Sequence, residues 1–238
     1  MTASGRPLDG RTAVVTGASS GIGLATAERL AALGARTIAL ARRAAPASAG
    51  EARPADVTDP VAVRAALDGL DAIDVLVLAA GTNVTRRRLD ELTPEATGEL
   101  LDVNLAGVVH VVTAALGALR RARGLVIVVG SVSGAWPDRS GPAYQAAKAG
   151  VRAFARGAGL EEHERGTGVR FSVVEPGMVD TPLIDRRPEP PPPEQRAQML
   201  RPEDVAETCA FLACLPARAH VPELTLLPAA LQAVGRTS

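Results

Sequence analysis

Short apolar runs alternate with longer amphipathic stretches along nearly the whole chain. Runs at residues 12–16, 37–41, 51–55, 75–79, 125–129, 170–174 and 224–227 have the length of strands. Most are rich in Val, Ile and Leu with apolar residues on both faces, which suits parallel strands covered on each side by helices. Between them, residues 23–33, 60–70, 95–121, 143–163 and 202–215 carry helical patterning. Gly34 follows the first of these and suits the position just past a helix end. The alternation predicts an α/β fold: a doubly wound parallel sheet of about seven strands with helices on both faces.

The length, 238 residues, suits one large domain with a well-buried core, and no repeat divides it. Aromatics are scarce, so that core is mostly Ala, Val and Leu. Net charge is zero, which removes the electrostatic case for nucleic acid or an anionic membrane. No run reads as a membrane span, and Met1 to Arg6 form no apolar signal region, so a soluble cytoplasmic protein is expected. Cys209 and Cys214 fit neither a zinc spacing nor a disulfide framework. They read as small buried thiols, and no metal site is expected.

One stretch breaks the pattern. Residues 186–194 include Pro188 and an unbroken proline run from Pro190 to Pro193. Proline excludes a helix interior and a central strand, so this is a stiff loop. It is either a surface spacer or a lid, near residues 178–200, over a site at the carboxyl ends of the strands.

The first strand leads into Thr16-Gly17-Ala18-Ser19-Ser20-Gly21-Ile22-Gly23, which opens the first helix. Glycines there allow a tight turn and close approach to a pyrophosphate, and the helix N-terminus offers N–H groups to the anion. Gly17, Ser19, Ser20, Gly21, Ile22 and Gly23 are therefore candidate nucleotide contacts. The second strand ends at Ala41, followed by Arg42 and Arg43, where NAD-binding folds usually carry an acid. Arginine pairs bidentately with a 2′-phosphate, which favours NADP over NAD. Simple exposure in an arginine-rich chain is the competing reading.

The only tyrosine and the only lysine of the chain, Tyr144 and Lys148, stand one helical turn apart. A phenol beside an ammonium can exchange a proton near neutral pH. Such pairs also occur on ordinary solvated helices.

Together these residues resemble the short-chain dehydrogenase/reductase family, in its compact single-domain branch with a Rossmann-type sheet. The matching positions run in order: Thr16 to Gly23, Asp56-Val57, Ala80-Gly81, Asn104, Ser131, Tyr144 with Lys148, then Pro176-Gly177 and Thr181. The resemblance implies that Tyr144 is the general acid or base and that Lys148 lowers its pKa and holds the nicotinamide ribose. It implies that Ser131 binds the substrate oxygen and Asn104 anchors a proton-relay water. Asp56 and Val57 would meet the adenine. Pro176, Gly177, Val179 and Thr181 would hold the nicotinamide, and Ala80 and Gly81 would line the cofactor. Taken singly, Ser131 could end a strand, Asn104 could bond within its helix, and Asp56 could shape the turn before Asp59-Pro60.

Two departures stand out. Leu78-Ala79-Ala80-Gly81 lacks the asparagine that ties neighbouring strands in many relatives, and the C-terminal segment from Val221 to the tail Arg236-Thr237-Ser238 is atypical. Ala146, Ala147, Ala149, Gly150 and Ala153 form a run of small residues suited either to internal packing or to a subunit contact, and a homodimer or homotetramer is expected. Ser133, Trp136, Gln145, Met178 and the proline-rich loop are expected in the substrate pocket. Arg86, Arg87 and Arg88 read as a solvated loop in preference to an anion site. The expected activity is hydride transfer between NADP(H) and a small ketone or secondary alcohol, in the direction of reduction. The alternatives are an NAD-dependent alcohol dehydrogenase and a non-catalytic regulatory protein of the same fold.

Overall fold

A computed structural model describes residues 5–235. Seven strands form one parallel sheet in the order β3-β2-β1-β4-β5-β6-β7. They are β1 (Thr12–Thr16), β2 (Arg36–Ala41), β3 (Glu51–Pro54), β4 (Val75–Leu78), β5 (Leu125–Val129), β6 (Arg170–Pro176) and β7 (Glu223–Leu226). Each expected strand forms, and most bounds are unchanged while the others move by one residue, except that β6 runs two residues further, to Pro176.

Alternate strand residues divide the core in two. Val14, Ile38, Leu76 and Val126 pack on one face under α2 (Pro60–Leu67), α4 (Gly107–Ala122) and α5 (Pro142–Glu164). Val15, Ala39, Val77 and Ile127 pack on the other under α1 (Gly21–Ala32) and α7 (Pro202–Cys214). The period-two alternation of apolar side chains builds both cores from the same strands. Because the order reverses between β1 and β4, a crevice opens at the carboxyl ends of these strands.

Local chemistry starts the helices where the sequence marks them. Asp59 caps α2, accepting from the Val61 and Ala62 amides at 2.8 and 3.1 Å, with Pro60 at the first position. Thr93 caps α3 (Pro94–Leu101) through the Ala96 amide at 3.2 Å.

Three expectations change. The helix expected over residues 95–121 is not one α-helix: α3 passes through a π turn at Asp102–Ala106 into α4. This run, Pro94–Ala122, is also long and apolar enough to cross a membrane by length and composition, contrary to the reading that no segment is. In the fold its Val111, Val112 and Leu119 are buried in the core. Cys209 is buried but Cys214 is exposed, because five residues turn a helix by about 140° beyond one full turn.

The proline run is irregular until α6 (Pro193–Arg196), which begins on a proline where the missing N–H costs nothing. Of the small residues on α5, Ala147 faces the core and Gly150 lies against Leu105, while Ala146 and Ala153 face outward. The tail residues 236–238 lie outside the described residues, but the segment before them packs back. Gln232 is buried, and its Oε1 accepts from the Met178 amide at 2.8 Å.

Candidate active site

A cavity of about 750 Å³ follows the carboxyl ends of the strands. One end is built by the β1–α1 turn. A Cβ at Gly17, whose φ is +70°, would lie 2.9 Å from the Ala79 carbonyl oxygen, and one at Gly23 would lie 2.4 Å from the Gly17 carbonyl oxygen. Only glycine lets the turn close this tightly against β4. Ser20 starts α1 in an extended conformation with no side-chain cap, so the first-turn amides are free for an anion. The side chain of Thr16 crosses to the next strand, where its Oγ1 accepts from the Ala79 and Ala80 amides, both at 3.1 Å. It supplies from β1 a tie that the missing asparagine would have made.

Ser19, Ser20, Gly21 and Ile22 line this end, as do Arg42, Arg43, Asp56 and Val57. Arg42 is mostly exposed, with Nη1 3.9 Å from Asp56 Oδ2. Asp56 also shapes its own turn, since Oδ1 accepts from the Thr58 amide and hydroxyl at 2.9 and 2.8 Å. The Val57 carbonyl is engaged by His110 Nδ1 at 3.1 Å.

The middle of the cavity holds the tyrosine–lysine pair. Both residues are buried on the first turns of α5. Lys148 Nζ sits 5.7 Å from the Tyr144 ring centroid and donates to the Val129 carbonyl at 3.1 Å. Ser131, just past β5, lies close enough to the phenol to lower its pKa and pairs with Ser133 Oγ at 3.1 Å. Asn104 lies in the π turn. Its Nδ2 donates to the Thr82 and Leu100 carbonyls, both at 2.9 Å, and its Oδ1 accepts from the Thr82 amide at 3.2 Å. A Cβ at Gly81 would meet Asn104 Oδ1 at 3.1 Å and Lys148 Nζ at 3.9 Å, so glycine keeps this space open.

The electrostatics differ from the expectation that Lys148 pulls the phenol pKa down. Burial pushes Tyr144 up to about 12, and the Asp138 carboxylate adds to that. Ser131, Arg87 and Arg187 act the other way, and the lysine does not figure. Burial drives Lys148 itself down to about 8. At neutral pH the phenol is therefore fully protonated.

Pro176, Gly177, Val179 and Thr181 line the wall opposite α5, and Thr181 Cγ2 lies within 3.3 Å of where a Gly21 Cβ would stand. Ala80 and Gly81 lie along the floor. Thus every residue proposed from sequence for the cofactor or the chemistry lines one cavity, except Asn104, which lies buried behind Gly81.

The far end is less as expected. Ser133 and Met178 line it, but Trp136 and Gln145 do not. Gln145 instead donates to the Asp138 carbonyl at 2.8 Å. Arg87 is not part of a solvated loop: it is buried and lines the cavity, with Nη2 donating to the Arg186 carbonyl. Asp138, Arg186, Arg187 and Gln232 also line this end. Arg186 and Arg187 belong to the proline-rich loop expected there, whereas sequence reading missed Asp138 and Gln232, because no motif surrounds them. Among the described residues, no group of three His, Cys, Asp or Glu side chains is placed to hold a metal ion.

The fold and the open turn define a dinucleotide-binding α/β protein of the doubly wound class. Residues 11–191 match the short chain dehydrogenase family, and the chain belongs to it. It is 38% identical to the cis-4-hydroxycyclohexanecarboxylate dehydrogenase of Sinomonas cyclohexanicum, over 85% of this chain and 89% of that one. It is 33% identical to the 3-oxoacyl-(acyl-carrier-protein) reductase FabG of Escherichia coli strain K12, over 86% and 90% of the two chains. An alcohol dehydrogenase from the archaeon Thermococcus sibiricus, solved in complex with 5-hydroxy-NADP, superposes with a TM-score of 0.79 at 30% identity, covering 96% of this chain and 98% of that one. The chain is accordingly an oxidoreductase of this family.

Proposed function

We propose that this oxidoreductase interconverts a small ketone and a secondary alcohol with NADP(H), working as a ketone reductase. The observation that carries the reading is the burial of Tyr144 and Lys148, with the half-buried Ser131 beside them, midway along a cavity whose near end is the open Gly17–Gly23 turn. The cofactor, when bound, supplies or accepts the hydride. The residues present suit it: glycines leave the space that its phosphates and nicotinamide would need, and the α1 amides face that space.

The protein's own part is proton handling and position. Ser131 holds the substrate oxygen against the phenol and stabilises charge developing there. Tyr144, protonated at neutral pH, gives its proton to that oxygen in reduction and takes it back in oxidation. Lys148 and Asn104 lie on the inner side of the phenol, toward Gly81, where a relay to solvent would pass. Arg42 and Arg43 favour a 2′-phosphate at the near end. The relatives act on a hydroxycyclohexanecarboxylate and a 3-oxoacyl group by name, and both fit a hydroxyl–carbonyl interconversion.

In this reading the chain works as one nucleotide-binding domain in the cytoplasm, with residues 178–200 as the substrate lid. The outward Leu101 and Leu160, 37% and 59% exposed on α3 and α5, support a homodimer or homotetramer. Replacing Tyr144 with Phe tests the reaction. Turnover of an accepted ketone should fall by roughly 10³-fold, in line with loss of a general acid. Undiminished NADPH consumption would sink the mechanism.

A further inference from the structure

We infer that the substrate carries a carboxylate, held by Arg87 and Arg187 at the end of the cavity beyond Tyr144. The inference deepens the proposed reaction and rests on Tyr144 being the proton donor.

Arg87 is the telling residue. It is only 5% exposed, yet no carboxylate oxygen lies within 4.0 Å of its guanidinium among the described residues. Its Nη2 donates to the Arg186 carbonyl at 2.5 Å, while its buried Nε has no hydrogen-bond partner. A buried guanidinium with an unmet donor is costly, and such a cost is retained where a ligand meets it. Arg187 lines the same end, half-buried, and forms no ion pair among the described residues. Burial acts on both guanidiniums, and both charges reach the Tyr144 phenol.

One acid stands nearby, and it is already committed. Asp138 accepts from Ser133 Oγ at 2.5 Å, from the Ser140 amide at 2.8 Å and from Gln145 Nε2 at 3.3 Å. Arg186, also at this end, stands 3.9 Å from Glu99, so Arg87 and Arg187 against Asp138 leave one positive charge in excess. A monoanion balances it. A planar carboxylate also matches the planar fork of a guanidinium, whereas a phosphate dianion would overcompensate the charge. The reacting carbonyl would lie at Tyr144 and Ser131, with the carboxylate further out, so the two groups sit at opposite ends of one small molecule.

The test compares 4-oxocyclohexanecarboxylate with its methyl ester as substrates for the full chain and NADPH. The acid should be preferred in kcat/KM by at least about 10-fold, the scale of one charge-assisted hydrogen bond. Arg187→Gln should erase that preference. This residue is half-buried, so the variant avoids the folding risk of Arg87→Gln. Equal use of acid and ester by the wild type would overturn the inference, and so would a preference that survives Arg187→Gln.

If neither compound turns over, calorimetric titration of the NADP-saturated protein with cyclohexanecarboxylate and with cyclohexanecarboxamide decides. Carboxylate-selective binding weakened about 10-fold by Arg187→Gln supports the anion site even as the proposed reaction falls. Equal binding of the two overturns it.

Discussion

Arg87 and Arg186 fasten two distant loops to each other. The Arg87 guanidinium donates to the Arg186 carbonyl at 2.5 Å, and Arg186 Nη1 donates in return to Thr82 Oγ1 at 2.8 Å and the Asn83 carbonyl at 3.1 Å. One loop follows β4, and the other enters the proline-rich segment. The latch places the start of the proline-rich segment at the far end of the cavity. A further clasp holds this segment to itself, where Arg196 pairs with Asp185 and, at 3.5 Å, with Asp180.

Arg186→Ala removes the two side-chain hydrogen bonds of the latch and leaves the carbonyl that Arg87 reaches. The lid should open more often, so KM for the ketone rises by roughly 3–10-fold, about one modest hydrogen bond or two, with a smaller change in kcat. Limited proteolysis should cut near residues 186–196 sooner than in the wild type. Unchanged KM and unchanged cleavage would show that the latch does not control the lid.

Lys148 should weaken the protein it serves. Burial lowers its pKa from 10.5 to about 8. Between those values the unfolded chain holds more protons than the folded one, so this site makes stability rise with pH across that window. Cys209, raised by burial from 9 to about 12, works in the opposite sense above pH 9, and Tyr144, raised from 10 to about 12, does so above pH 10. Lys148→Met should therefore lose activity and yet be more stable at pH 7, by up to about 3 kcal/mol. It should also lack the wild-type rise in melting temperature between pH 8 and 9, where Lys148 acts without opposition from Cys209. A variant that keeps this rise would refute the assignment.

Thr16→Val keeps the shape of a side chain that is 1% exposed but leaves the Ala79 and Ala80 amides without their acceptor. Two buried donors left unpaired cost about 1–3 kcal/mol. The melting temperature should fall by roughly 3–10 °C for a chain of this size. Calorimetry on the purified variant checks it, and a shift under 1 °C, far below that rough range, would mean water replaces the hydroxyl.

Arg42→Ala combined with Arg43→Ala addresses cofactor choice. Both residues line the near end of the cavity, and Arg42 is only loosely held, 3.9 Å from Asp56. Losing a bidentate phosphate contact should raise KM for NADPH by about 10-fold or more while NADH use changes little. Equal losses with both cofactors would remove the case for NADP.

Much of this protein was legible in residue order alone. Apolar runs of strand length gave up the five inner strands, because burial on both faces of a parallel sheet leaves no polar side to hide the signal, whereas the edge strands β3 and β7 are largely exposed or half-buried. The glycines of Gly17–Gly23 were legible because close backbone approach admits no other residue, and Tyr144 with Lys148 because a helix makes a four-residue offset a shared face. These are local constraints, and local constraints leave a mark in sequence.

Tertiary structure decided the rest. Whether Arg87 met water or a cavity depended on Arg186, 99 residues later, and on the proline-rich segment that carries it. Asp138 and Gln232 reached the cavity only through packing with residues far along the chain or outside any motif. The pKa of Tyr144 followed the same logic. Spacing placed an ammonium beside the phenol, but burial, a property of the folded whole, outweighed it and drove both groups toward their neutral forms.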